Sequence, residues 1–325
     1  MLADRGKLVT ALLGVTFAVV LVNLQSSLLH GFVRKACMLV EYGQADIWVV
    51  HRHMKNVDMG DFIPERWIHR IRGMEGVEKA EPYIAMFGHS RMPDGRFEVV
   101  MVVGCEPVTL MGNAWDMENG DASMIRHPDA ILIDSCDVHR FNHPEIGDIR
   151  EINGQKARIV GFTKNIVGFT YNPYVFTTLD RARKKYAIGI PPDHCSFYLI
   201  KAAPGTDIPE LVQRIQERVP ELAVYDAQTY SLMAMNYWLT KTGIGISFGT
   251  AALLGLIVGL AVVAQTLHAS VNERLKEFAT LKALGADTRC TIRFLLAQAV
   301  GSALLGSLLG LFLTLLLIQS PMNTP

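Results

Sequence analysis

"ERLKEFATLKALGA", Glu273 to Ala286, holds charges of both signs and stands between two of the longest apolar runs in the chain. Extended back to Leu267, it reads as a helix. Leu267, Val271, Leu275, Phe278 and Leu281 follow at i, i+4, i+8, i+11 and i+14, one apolar stripe. Glu273, Lys276, Glu277 and Lys282 lie off that stripe. Glu273 with Lys276, and Arg274 with Glu277, are favourable i, i+3 pairs. Gly285 is placed as a left-handed stop, and Asp287 as the cap of the next helix.

The flanking runs are long enough to cross a bilayer. Gly243 to Leu267 and Ile292 to Ile318 are nearly free of charge, and so is Leu8 to Leu29 near the start. The last is 22 residues, roughly 33 Å as a helix, which covers a hydrocarbon core. A cleaved signal peptide has an apolar run of only about 7–15 residues, and no small-residue cleavage signal follows this one. Small residues recur four apart at Gly245 and Gly249, at Gly255 and Gly259, and at Ser302, Gly306 and Gly310. That spacing lets helix backbones approach closely in lipid.

Charge sets the orientation. Arg5 and Lys7 precede the first span, and Arg274, Lys276, Lys282, Arg289 and Arg293 lie between the second and third. Short Lys/Arg-rich loops stay cytoplasmic. The expected division is a first span over 1–30, an extracytoplasmic domain over 31–241, a second span over 242–267, a cytoplasmic loop over 268–290, a third span over 291–318 and an outer tail over 319–325. A short, mixed-charge helix on the inner side, joined directly to two spans, fits a docking element for a cytoplasmic partner. Movement of that partner would pass into the spans.

Composition agrees. Of 325 residues 50% are hydrophobic and 19% charged, against about 25% charged in soluble domains. The 31 Lys and Arg balance the 31 Asp and Glu, so there is no electrostatic footprint for nucleic acid.

The middle region has a weak internal duplication. "ADIWVV" leads to "IPERWIHRIRGMEGVEKAEPYI", and "CSFYLIKA" leads to "TDIPELVQRIQERVPELAVYDA". Each is a strand, then a helix opened by proline (Pro64, Pro209), with Asp61 and Asp207 as expected caps. Two βαβ-like units imply a split α+β lobe. Between them, about 88–190, short β-type runs alternate with turn signals such as "PDGR" and "INGQ", an inserted β-rich lobe.

No catalytic constellation emerges. His51 and His53 form an H-x-H, and His139 and His143 lie near Asp134 and Asp137. Pro144 directly after His143 argues against a helix there, and solvated loop histidines are the simpler reading, so no metal is expected. Ser135 lies in no nucleophile pattern, and no Walker A motif occurs. A non-catalytic subunit without its own cofactor is expected, with ATP bound elsewhere. Cys37, Cys105, Cys136 and Cys195 fall in the middle region, where an even number permits disulfides, although free buried thiols fit at least some of them.

"NERLKEFATLKALGA" resembles the cytoplasmic loop of FtsX/MacB-type ABC transporter permeases, which reads approximately ERxxEIGxLKALGA. Glu273, Arg274, Glu277, Leu281, Lys282, Ala283, Leu284, Gly285 and Ala286 fit, with Phe278 in place of Ile and Ala279 in place of Gly. The order of span, large domain, span, loop, span is also similar. "ALLGVTFAVVLVNLQSSLLHGFVRKA" and "ADIWVV" resemble the DevC-like branch. The resemblance implies a homodimeric permease of the inner membrane, driven by a cytoplasmic ABC ATPase that grips the loop at Glu273, Arg274, Lys276, Glu277, Phe278, Lys282, Leu284 and Gly285. It implies a periplasmic adaptor and export of an amphiphile, with an FtsX-like regulatory subunit as the alternative. The family has four spans and this chain shows three, which would leave Gly306 and Gly310 without their usual partner helix.

Overall fold

The computed structural model describes residues 5–58, 61–92, 95–168, 173–273, 275–283 and 288–319. It divides into a helical unit, residues 1–31 with 243–325, and a mixed unit, Phe32–Thr242. In chain order the helices are α1 Arg5–Ala36, α2 Met38–Tyr42, α3 His69–Arg72, α4 Leu179–Arg181, α5 Ile208–Arg218, α6 Ala227–Lys241, α7 Ile244–Glu273, α8 Leu275–Ala283 and α9 Thr288–Gln319. The strands are β1 Ile47–His51, β2 Ile63–Pro64, β3 Val77–Arg91, β4 Phe97–Cys105, β5 Met117–Asn119, β6 Ala130–Asp134, β7 Ile149–Ile152, β8 Gln155–Thr163, β9 Tyr174–Thr178, β10 His194–Cys195, β11 Phe197–Ala202 and β12 Leu222–Asp226.

Among the described residues three helices are long and apolar enough to cross a membrane: Leu12–Ala36, Ile244–Glu273 and Ala299–Leu317. The charged stretch begins within the second of them, since α7 runs on to Glu273 before α8 starts at Leu275.

In the mixed unit the strand order β12-β1-β11-β3 explains the duplication seen in the sequence. β1 is antiparallel to β11 and to β12, and β11 is antiparallel to β3. So β1 and β3 run parallel with β11 between them, and β11 and β12 run parallel with β1 between them. These are two interlocked split βαβ units. Alternation along β1 explains why nearly all of it is buried. Ile47 and Val49 share a core with Ile71, Leu211 and Ile215 of α3 and α5. Trp48 and Val50 share another with Leu39 of α2 and Tyr230 of α6. Helices therefore cover both faces.

The helix after Pro209 forms as its sequence suggests, with Asp207 accepting from the Glu210 N–H at 3.2 Å. Its counterpart does not. Glu65–Ile68 is a tight 3₁₀ turn capped by Pro64 without a side-chain bond, followed by the single turn α3. Asp61 is not that cap: it accepts from the adjacent Phe62 N–H at 2.8 Å and lies 3.2 Å from His51. Only a short stretch separates Pro64 from Gly73, too little for a full helix.

The β-rich lobe continues the same sheet through β4, β9, β6, β8 and β5. It has no seam at residue 88. β3 is one strand whose partner changes along its length: Val77–Tyr83 pairs with β11, and Ile84–Arg91 pairs with β4. The "INGQ" turn is a two-residue hairpin with Asn153 at φ 48° and Gly154 at φ 75°, the left-handed pair such a turn requires. Four cysteines are free thiols, with Cys37, Cys105 and Cys195 buried and Cys136 exposed. The permitted disulfides are absent among them.

Candidate functional site

The candidate site is the segment joining α7, α8 and α9. A helix of mostly strong helix formers follows Glu273 with almost no interruption in the described chain. Leu267 and Val271 on α7 are half-buried, whereas Leu275, next on the stripe, is 58% exposed. Glu273, Lys276, Ala279, Thr280 and Ala283 are exposed, and so are Arg289 and Arg293 at the start of α9. The Thr280 Oγ1 donates to the Lys276 carbonyl at 2.9 Å, which keeps that hydroxyl within its own helix. Glu277, Phe278 and Lys282 belong to the backbone of α8. Arg274, Leu284, Gly285 and Asp287 lie outside the described residues, and with them the expected stop and cap. Among its described side chains are exposed charges, small residues and the exposed Leu275.

The small residues of the spans divide into two groups. A methyl group built on Gly259 would stand 2.5 Å from the Ala18 Cβ, one on Gly306 2.7 Å from the Val15 Cβ, and one on Gly310 2.7 Å from Val19. Gly255 faces the tip of Leu21, and Gly14 of α1 faces Val262. Thr16 donates to the Gly306 carbonyl at 3.2 Å, and Ser302 is buried with its hydroxyl on the Ala299 carbonyl at 2.9 Å. α1 therefore sits against both α7 and α9 at backbone distance. Gly306 and Gly310 do have a partner helix, and it is α1. Gly249 is different: nothing lies within 4 Å of its added methyl. Gly245 is half-buried near the start of α7. Gly14, with Ala18 four residues on, was not singled out from the sequence.

The residues considered for catalysis do not converge. Asp134 is fully buried and accepts from Thr163 Oγ1 and the Ile166 N–H at 2.7 Å and from the Cys136 N–H at 2.9 Å. It organises the lobe. Burial pushes the Asp137 carboxyl up to about 6, against the pull of Arg140 at 3.5 Å. His139 turns its Nδ1 to the Cys136 carbonyl at 3.0 Å. His51 and His53 have ring centroids 5.6 Å apart, with Asp61 beside His51. Among the described residues no three His, Cys, Asp or Glu side chains are grouped to hold a metal ion.

Residues 8–218 match the MacB-like periplasmic core domain, and residues 249–322 match the FtsX-like permease C-terminal region. The chain belongs to the MacB/FtsX family of ABC transporter permeases. It is a membrane protein with a periplasmic-type core domain. It is 26% identical over 216 residues to an uncharacterised ABC transporter permease of Methanocaldococcus jannaschii, covering 64% of this chain and 52% of that one. It is 30% identical over 168 residues to an uncharacterised ABC transporter permease of Mycobacterium tuberculosis, covering 52% and 44%. The chain spans about half the length of the curated relatives it matches. Among solved structures, the periplasmic region of MacB from Actinobacillus actinomycetemcomitans aligns over 60% of this chain and 94% of that one, with a TM-score of 0.44 and 8% identity. The extracellular domain of the noncanonic ABC-type transporter YknZ from Gram-positive bacteria aligns over 55% and 99%, with a TM-score of 0.40 and 11% identity. The family models carry the assignment, not these distant likenesses.

Proposed function

We propose that this chain is the non-catalytic permease subunit of an ABC export system in the bacterial inner membrane. A separate cytoplasmic ATPase grips α8 and the ends of α7 and α9. Its closure on ATP moves those helices, and the spans carry the motion to the core domain in the periplasm. A second copy of the permease completes the assembly, and a periplasmic adaptor receives an amphiphile such as a lipid or glycolipid. The observation that supports this reading is α8 itself: an exposed, mixed-charge helix set between two membrane-length helices, inside the region that matches the FtsX-like permease family.

The test is co-purification. The double variant Glu273→Lys with Lys282→Glu inserts normally and loses most of its bound ATPase. Full retention of the ATPase would refute the docking role. Labelling of Lys276 or Lys282 by an impermeant reagent from the periplasmic side would do the same. Recovery of an adaptor with the full chain supports export. Recovery of a cell-wall hydrolase in its place would move the assignment to a regulatory subunit that transports nothing.

A further inference from the structure

The β-rich lobe has a cavity of about 460 Å³ on the outer wall of β7 and β8. Its lining includes the apolar Ile149 and Val160, the cations Lys156 and Arg158, and His127 with Asp129. The hairpin places these groups together. Ile149 stands opposite Arg158, and Glu151 opposite Lys156. Alternation along β8 buries Ala157 and Ile159 and sends Lys156 and Arg158 outward on one face. Ile149, 48% exposed, shares that face.

The charges of this cavity do not cancel. Lys185 donates to the Asp129 carboxylate at 2.6 Å, so the acid of the lining is already engaged. That one carboxylate acts on Lys185, Arg181 and Arg158 at once. The Arg158 side chain donates to the Gly147 carbonyl at 3.3 Å, which fixes the guanidinium without neutralising it. Among the described residues neither Lys156 nor Arg158 forms an ion pair, Glu151 across the hairpin included. The two sides of the cavity are joined from beneath. The Arg158 N–H donates to the Asp129 carbonyl at 2.6 Å. The buried Tyr186 hydroxyl donates to the Lys156 carbonyl at 2.8 Å and lies 3.3 Å from that of Asp129.

A lone exposed cation is an ordinary solvated charge. Here two share one strand face, beside apolar side chains, in a cavity of ligand size. We propose that this cavity binds the anionic head of an amphiphile, with Lys156 and Arg158 on the charge and Ile149 and Val160 along the first carbons of its chain. The inference rests on the reading of this chain as an amphiphile exporter and names the class of cargo. A guanidinium offers paired donors to a phosphate or carboxylate, and the ammonium adds a point charge. The chain takes Ile149 out of water, a gain that a free anion cannot supply. An uncharged head would leave both cations covered and without a partner.

Calorimetric titration of the full chain in nanodiscs of zwitterionic lipid, with empty nanodiscs as the blank, tests this. The probes are hexyl phosphate, inorganic phosphate and hexyltrimethylammonium. Hexyl phosphate binds about tenfold more tightly than inorganic phosphate. Its affinity falls as salt is raised, and hexyltrimethylammonium does not bind. Lys156→Gln with Arg158→Gln weakens hexyl phosphate by about tenfold or more. Ile149→Ser brings hexyl phosphate down towards inorganic phosphate and leaves inorganic phosphate unchanged. Lys164→Gln, at an exposed cation of the same lobe outside the cavity, changes neither. Absence of hexyl phosphate binding, equal affinity for the two phosphates, undiminished binding by the double variant or comparable binding of the ammonium would each overturn the site. No ATPase takes part in the titration. Failure here therefore leaves the docking role of α8 standing, and failure of ATPase co-purification leaves the titration result as it is.

Discussion

The helical unit and the mixed unit use the same kinds of apolar residue to opposite ends. In the mixed unit Trp48, Tyr83, Phe197 and Tyr230 are fully buried, with Trp48 set edge-on to Tyr83 at 5.8 Å and to Phe197 at 5.4 Å. In the helical unit Leu254, Leu308 and Phe312 are all more than half exposed, and the buried positions are mostly small residues such as Thr16, Ala18, Gly259, Ser302 and Gly306. Water drives large side chains together, whereas lipid does not distinguish a leucine from a tail. Helices in a bilayer gain instead by bringing backbones close. The mixed unit should therefore fail when something large is removed, and the helical unit when something small is enlarged.

The sharpest break of that contrast is Trp48→Ala, which should cost about 3–5 kcal/mol, measured as chemical unfolding of the mixed unit within the full chain. A loss below 1 kcal/mol would mean that this face is not a packed core. Next comes Gly259→Ala, where methyl would meet methyl at 2.5 Å with no flexible side-chain tip to yield. About 1–3 kcal/mol of bundle stability should be lost, read from thermal denaturation in detergent. Gly249→Ala on the same helix meets nothing and should be neutral or slightly stabilising, since alanine is the better helix former. Equal effects at the two glycines would dissolve the distinction between the units.

Smaller effects sharpen it. Asp207→Ala removes the cap of α5 and should cost about 1 kcal/mol in the mixed unit alone. The smallest stability change is expected at Gln216. Its amide donates to the Leu222 carbonyl at 2.9 Å and accepts from the Val224 N–H at 3.1 Å, closing the open edge of β12 as a neighbouring strand would. Gln216→Ala should leave the unfolding midpoint nearly in place and increase concentration-dependent association, seen by light scattering.

Much of this was legible in the sequence because the signals were local. Asp207 and Pro209 mark the start of α5, Asn153 and Gly154 mark a hairpin, and Gly259, Gly306 and Gly310 mark close helix contacts. What escaped depended on distant partners. Asp61 stands where a cap would stand, but the short helical stretch opens as a 3₁₀ turn whose cap position is Pro64. α6 escaped because apolar residues lie all around "AQTYSLMAMNYWLTK", so no single face declares itself. In the loop between the spans, the motif announced α8 plainly, while Leu284 and Gly285 lie beyond what the structure describes.

β3 has a mechanical consequence. It is 15 residues long, about 50 Å if fully extended, and it is paired along nearly its whole length, first in one lobe and then in the other. Bending it between Tyr83 and Ile84 would break ladder bonds on both sides at once. The strand therefore ties the two lobes of the mixed unit together as one continuous piece of backbone, with no hinge where its partners change.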